Sequence, residues 1–214
     1  MSKENRIYFE SELFQELKGI AVSEISIKVL KSGIRFIYDK KVVAELDFQY
    51  LVKSNAYILN GRVFGGPIFE CSSKIDPPYK SHLFSDACFA FTTSGRQDKK
   101  FSDNVYGSIY LPPPEQVGSV CKRIRNSLES YYIPMITGCI VPGPRTIEDV
   151  LHSPTDYAYP AVFIHCAVAC NPEIISEEVV EKIKANKKII RNKSFDLELI
   201  EGALGPLGSG QEFS

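Results

Sequence analysis

Tyr159-Pro160-Ala161-Val162-Phe163-Ile164-His165-Cys166-Ala167-Val168-Ala169-Cys170 is the stretch around which the chain is organised. With His165 neutral it carries no charge, and Pro160 and the pair Asn171-Pro172 bound it. A run this apolar, rich in β-branched and aromatic residues, predicts a strand buried on both faces at the centre of the core. A membrane-spanning helix needs about 20 apolar residues. This run is little over half as long, so it belongs to the middle of a soluble domain. On a strand, four steps of roughly 3.3 Å hold Cys166 and Cys170 about 13 Å apart, beyond a disulfide or a shared metal. On a helix the two would be neighbours.

The chain before this run reads mainly as β structure. Phe9, Leu13, Phe14 and Leu17 share one side of a short helix over 9–18, with Gly19 placed to end it. From 22 to 48 the apolar period changes to two: Ile25, Ile27 and Val29, then Ile34, Phe36 and Tyr38, then Val42, Ala44, Leu46 and Phe48. Turns at Lys31-Ser32-Gly33 and Asp39-Lys40-Lys41 make this a three-stranded antiparallel meander. Asn60-Gly61 predicts a two-residue type I′ hairpin turn, because both residues tolerate positive φ. Gly65-Gly66-Pro67 breaks the strand before Ile68-Phe69-Glu70-Cys71, with no helix expected after it, and 72–84 reads as a surface loop. Strands follow at 87–92 and 105–111, separated by a polar segment that carries Arg96, Lys99 and Lys100. Pro112-Pro113-Pro114 closes the β-rich part.

Helical spacing of Val117, Val120, Cys121, Ile124 and Leu128 predicts a helix over 115–132 that Pro134 and Gly138 end. Thr146-x-x-Asp149 resembles a capping box for a second, short helix, and 173–185 predicts a third. Residues 187–191 and 194–200 read as a closing hairpin across Asn192-Lys193. The fold expected is α+β: a mainly antiparallel sheet from an N-terminal meander and hairpins, packed against two or three helices from the C-terminal half, with the buried strand near 159–170. One domain is expected over 1–201, β-rich at 20–111 and α-rich at 115–200. Residues 202–214 read as a flexible tail, in which Gly205-Pro206-Leu207-Gly208-Ser209 resembles an expression-vector protease scar.

The chain has 214 residues, 44% of them hydrophobic and 24% charged, enough for a substantial core. A net charge of -1 exerts no global pull on nucleic acid or an anionic membrane, so such a partner would need a local patch. No apolar signal region follows Met1-Ser2-Lys3-Glu4-Asn5-Arg6, and a cytoplasmic location without membrane contact is expected. The six cysteines form no Cys-x-x-Cys pair, which in a reducing compartment reads as reduced thiols.

Cys121, with Lys122, Arg123 and Arg125 beside it, is the candidate thiol nucleophile. Its base would come from His152 or His165. No metal site is expected, since His165 and Cys166 are the only adjacent His and Cys and point to opposite faces of a strand. For a metal-dependent nuclease the candidates are Glu45 with Asp47 and Asp196 with Glu198, each pair sharing one face of a strand. Phosphate-loop and Gly-x-Ser-x-Gly patterns are absent, and no cofactor is expected. Lys182, Lys184, Lys187, Lys188, Arg191 and Lys193 form the clearest basic run. With Lys122, Arg123 and Arg125 they could bind phosphates, although a helix C-terminus also favours cations.

Nine tyrosines near turns and element ends (50, 57, 79, 106, 110, 131, 132, 157 and 159) suit a protein interface. The expected function is therefore a non-catalytic binding protein acting through a protein partner, as an inhibitor or immunity-type neutraliser. The alternatives are a hydrolase or metal-dependent nuclease, and a nucleic-acid-binding protein using a local basic patch.

Overall fold

The structure, a computed structural model, describes residues 3–83, 86–95 and 100–208, and of 204–208 the backbone alone. Arg96, Lys99 and tail residues 209–214 lie outside the described residues. The fold is α+β, with a six-stranded sheet and helices. The chain forms two compact units, residues 1–63 with 90–137, and residues 64–89 with 138–214. Among the described residues no helix is long and apolar enough to cross a membrane.

The first unit holds the sheet. Helix α1 (Lys3–Leu17) precedes β1 (Ser26–Leu30), β2 (Gly33–Tyr38), β3 (Lys41–Leu51) and β4 (Ala56–Val63), which pair antiparallel in that order. Beside β4 lie β5 (Phe89–Thr92) and the short β6 (Ile109–Tyr110). The period-two pattern works as expected: Ile34, Phe36, Ala44, Leu46 and Leu59 are fully buried, as are Phe9 of α1 and Leu128. Helix α3 (Val117–Ser127) packs on α1 and buries Val117, Cys121 and Ile124.

Asn60-Gly61 is not a turn. Both residues lie inside β4, where Asn60 pairs with Asp47 and Gly61 with Leu46. The reason is a close approach: a Cβ on Gly61 would stand 2.2 Å from Cε1 of Phe91, whose ring stacks on Tyr132 at 5.4 Å. The glycine makes room for an aromatic ring. The two-residue hairpin turn with two left-handed residues occurs instead at Asp39 (φ 46°) and Lys40 (φ 62°), with Tyr38 paired to Lys41.

The helix expected over 115–132 is longer than its sequence signals suggest. A π-helical turn (Leu128–Tyr132) follows α3 and leads into α4 (Ile133–Gly138), so the chain stays helical through Pro134. Pro134 has no N–H to give to the preceding turn and its ring crowds that turn's carbonyl, and a widened π turn accommodates both.

The second unit is helical, and its centre corrects the reading of 159–170. That run is α6 (Pro160–Cys170), not a strand, with Pro160 through Ile164 and Cys166 through Val168 all buried. A helix covered on every side loses the apolar period that distinguishes helix from strand. Pro at N1 and three alanines suit the helix. On it pack α2 (Pro67–Ser72), α5 (Thr146–His152) and α8 (Lys193–Gly208), and α7 (Glu177–Ala185) packs on α8. Two more expectations fail here: a helix, α2, does follow Gly65-Gly66-Pro67, and 194–200 lies within α8 and not in a strand. The signal overlooked at α8 is Asn192, whose Oδ1 accepts from Phe195 N at 3.2 Å as an N-cap does. Thr146 does begin α5, yet not as a cap: its hydroxyl donates to Gly138 O at 3.2 Å and accepts from Gly143 N.

Gly61→Ala lowers unfolding free energy by about 2 kcal/mol through overpacking. Shrinking the ring as well, in Gly61→Ala with Phe91→Leu, costs less than the sum of the two single changes. Lys40→Gly raises stability by about 0.5 kcal/mol, because relief of a left-handed lysine exceeds the entropy cost of glycine. Urea unfolding of the four variants checks all of this.

Candidate functional site

In the first unit the sequence-derived candidates are engaged in structure. Glu45 on β3 faces Arg35 on one side and Arg62 on the other. Its Oε2 lies 3.2 Å from Arg35 Nε and its Oε1 pairs with Arg62 Nε, while Asp47 Oδ1 accepts from Arg35 Nη1 at 2.9 Å. Two carboxylates shared between two guanidiniums form a neutralised ladder on the solvated face of the sheet. Further along that face the register lines up Leu51, Ala56 and Tyr110 across three strands, with Val52 at the hairpin end. Tyr110 is 56% exposed and Val52 77%.

Cys121 lies in the α1–α3 packing, 2% exposed. Burial first, then the carboxylates of Glu12 and Glu16, push its thiol up to about 12, so it is protonated and inert at neutral pH. The cations around it serve other ends. Arg125 reaches back to α1, with Nη1 3.2 Å from Glu16 O and Nη2 3.3 Å from Gly19 O, and pairs with Glu129 at 3.2 Å. Arg123 pairs with Asp103 at 3.1 Å, and Lys122 is exposed.

In the second unit Asp196 and Glu198 do not share a strand face. Both lie on α8, where residues two apart point in different directions. Glu198 is exposed, whereas Asp196 is fully buried. Asp196 Oδ2 accepts from Arg191 N and Asn192 N, each at 2.7 Å, and Oδ1 from the Tyr79 hydroxyl at 2.7 Å. Burial, and then this hydrogen bond, raise the Tyr79 phenol and keep it a donor. The carboxylate thus holds the entry to α8.

Arg191 is equally absorbed. Its guanidinium lies 4.9 Å from the centre of the Tyr79 ring and donates to Ala158 O and Lys80 O at 3.3 and 3.4 Å. It also reaches His82 Nδ1 at 3.2 Å, and since His82 Nε2 faces the carbonyl of Thr155, Nε2 carries the proton and Nδ1 accepts. His165 Nδ1 donates to Leu199 O at 3.0 Å, which ties α6 to α8. Lys187 and Lys188 remain exposed, with no carboxylate partner among the described residues. Together with Lys182 and His152 they line an open cleft of about 630 Å³ over Leu151, Pro154 and Ala185. The two basic groups singled out in the sequence belong to different units.

Because 159–170 is helical, Cys166 and Cys170 are one turn apart, and Cys71 of α2 reaches the Cys166 thiol. Burial raises both Cys166 and Cys170. Among the described residues no group of three or more His, Cys, Asp or Glu side chains converges to hold a metal ion. A second hollow, of about 370 Å³, lies between α2, α6 and residues 75–77, 81 and 86–88.

Asp196→Ala, which leaves three donors without their acceptor, lowers unfolding free energy by about 3 kcal/mol, and Asp196→Asn by less. The buried thiols set an alkaline limit. Cys88 and Cys121 ordinarily titrate near 9 and are held at about 12 in the fold, so the unfolded chain loses protons first. Stability is intact below pH 9 and falls as pH rises from 9 toward 12, with a shallower fall in Cys121→Ala. Denaturant titrations across that range measure both effects. Comparison of this chain with protein-family models, with curated proteins and with solved structures finds no match.

Proposed function

We propose that this chain is a non-catalytic binding protein that acts through a protein partner, in the manner of an inhibitor or neutraliser. The observation that carries this reading is the distribution of exposed apolar side chains. Among the described residues, every large one that is substantially exposed, including Tyr8, Val52, Tyr106 and Tyr110, belongs to the first unit. Half-exposed aromatics anchor protein interfaces, where a large apolar body is desolvated while the phenol keeps a polar partner. Tyr110 and Leu51 share a sheet face with the ladder of Arg35, Glu45, Asp47 and Arg62, further along the strands. An apolar anchor beside alternating charge is the arrangement that gives affinity at the centre and orientation at the rim.

The state of the catalytic candidates supports the same reading. Glu45 and Asp47 are neutralised by arginines, Asp196 is enclosed by three donors, and Cys121 is a buried, protonated thiol.

The test is capture by the immobilised full-length chain from native lysate, with and without nuclease, against a variant carrying Val52→Ser and Tyr110→Ser. One stoichiometric protein is expected that survives nuclease and binds the variant at least about tenfold more weakly. Nucleic acid recovered in its place and released by salt overturns the reading in favour of the lysine cleft, and a protein held equally by the variant removes this face as the site.

A further inference from the structure

We propose that the hollow between α2 and α6 in the second unit binds a small organic cation, an amine carried on an apolar body. Its volume of about 370 Å³ falls within the range of small-molecule sites, about 300 to 1,000 Å³. The floor is buried and apolar, formed by Ala87, Cys88, Ala158 and Phe163. Phe69, Ile75 and Pro77 form half-exposed apolar walls, the surface that a bound molecule of the right size would remove from water.

Charge selects the occupant. Asp76 and Asp86 stand at the lining, both exposed, and neither has a basic partner among the described residues. Among the described residues no Lys, Arg or His lines the hollow. An anion there would meet two uncompensated carboxylates, whereas an ammonium would pair with them. The aromatic walls favour the same sign, since the faces of Phe69 and Tyr159 attract cations. Tyr159 is held in place through its hydroxyl, which accepts from Ser81 N at 3.0 Å, and through its edge contact with Tyr79 at 5.6 Å. This wall is therefore set before any ligand arrives.

The sequence hides the site for a physical reason. Phe69, Ser72 and Ser73 come from α2 and its end, Asp76, Pro77, Ser81, Asp86 and Ala87 from the chain after it, and Tyr159 and Phe163 from the start of α6. Only the packing of α2 on α6 brings them to one cavity. The hollow shares no residue with the sheet face proposed for the protein partner, so the two sites stand or fall separately.

Phenethylamine is the probe, with phenethyl alcohol and phenylpropionate as neutral and anionic counterparts of similar size. Each is titrated into the intact chain and followed by amide NMR at Ala87, Cys88 and Tyr159. The amine is expected to shift these amides saturably and to bind at least about tenfold more tightly than phenylpropionate. Asp76→Asn with Asp86→Asn, both at exposed positions, is expected to weaken the amine about fivefold while the rest of the spectrum is unchanged. No saturable shift with millimolar amine overturns the proposal, as does an equal response to phenylpropionate or an unaltered affinity in the double variant.

Discussion

Helix α6 has no face to give to water, and the second unit follows from that constraint. Eight of its eleven residues are buried, and the side chains between them offer no polar stripe. Every direction around its axis must be covered, which α2 and α8 do by direct packing and α5 by a smaller contact. Covering a helix on all sides brings polar chain ends indoors, and these need partners. His165 gives its Nδ1 proton to Leu199 O, and Asn171 ends the helix by donating to Pro142 O at 2.9 Å. Asp196 takes the free N–H groups where α8 begins. Each buried donor or acceptor left alone would cost about 1 to 3 kcal/mol, so the most chemically suggestive residues of this unit are recruited to the fold.

The first unit solves a different problem, a sheet with one face inside and one outside. The inner face is apolar and meets α1, where Phe9 lies against Tyr57 of β4, so its side chains are legible from alternation. The outer face keeps Arg35, Glu45, Asp47 and Arg62 in a ladder that leaves little net charge. The apolar side chains Leu51 and Tyr110 lie further along the same face, with Val52 at the hairpin end. The π turn at Leu128–Tyr132 belongs to the same unit, where it sets Tyr132 into the core against Phe91 and Phe101.

Candidate sites suffered more than the fold from reading residues along a line. Glu45 and Asp47 share a strand face as expected, but their arginine partners come from β2 and β4, and pairing cancels the charge that a cation would need. Asp196 and Glu198 would share a face only on a strand. On α8 one is buried and the other exposed. Cys121 occupies the apolar side of its helix, which its spacing with Val117 and Ile124 already implied, and burial disarms it. The lysines at 187 and 188 stayed exposed because the end of α7 leaves them beyond any acidic neighbour in the described structure.

Local pattern alone determined the α+β class, the meander of β1 to β3, the apolar sides of α1 and α3, the start of α5 and the body of α7. These elements are half buried, and a half-buried element writes its period into the sequence. Tertiary structure decided the rest. A helix buried all round shows no period, so α6 resembled a buried strand. A glycine followed by nothing local to explain it, Gly61, answers to a phenylalanine thirty residues away in the chain. The hollow between α2 and α6 exists only once both are helices packed together, because a cavity is a property of surfaces facing one another and no single segment carries it.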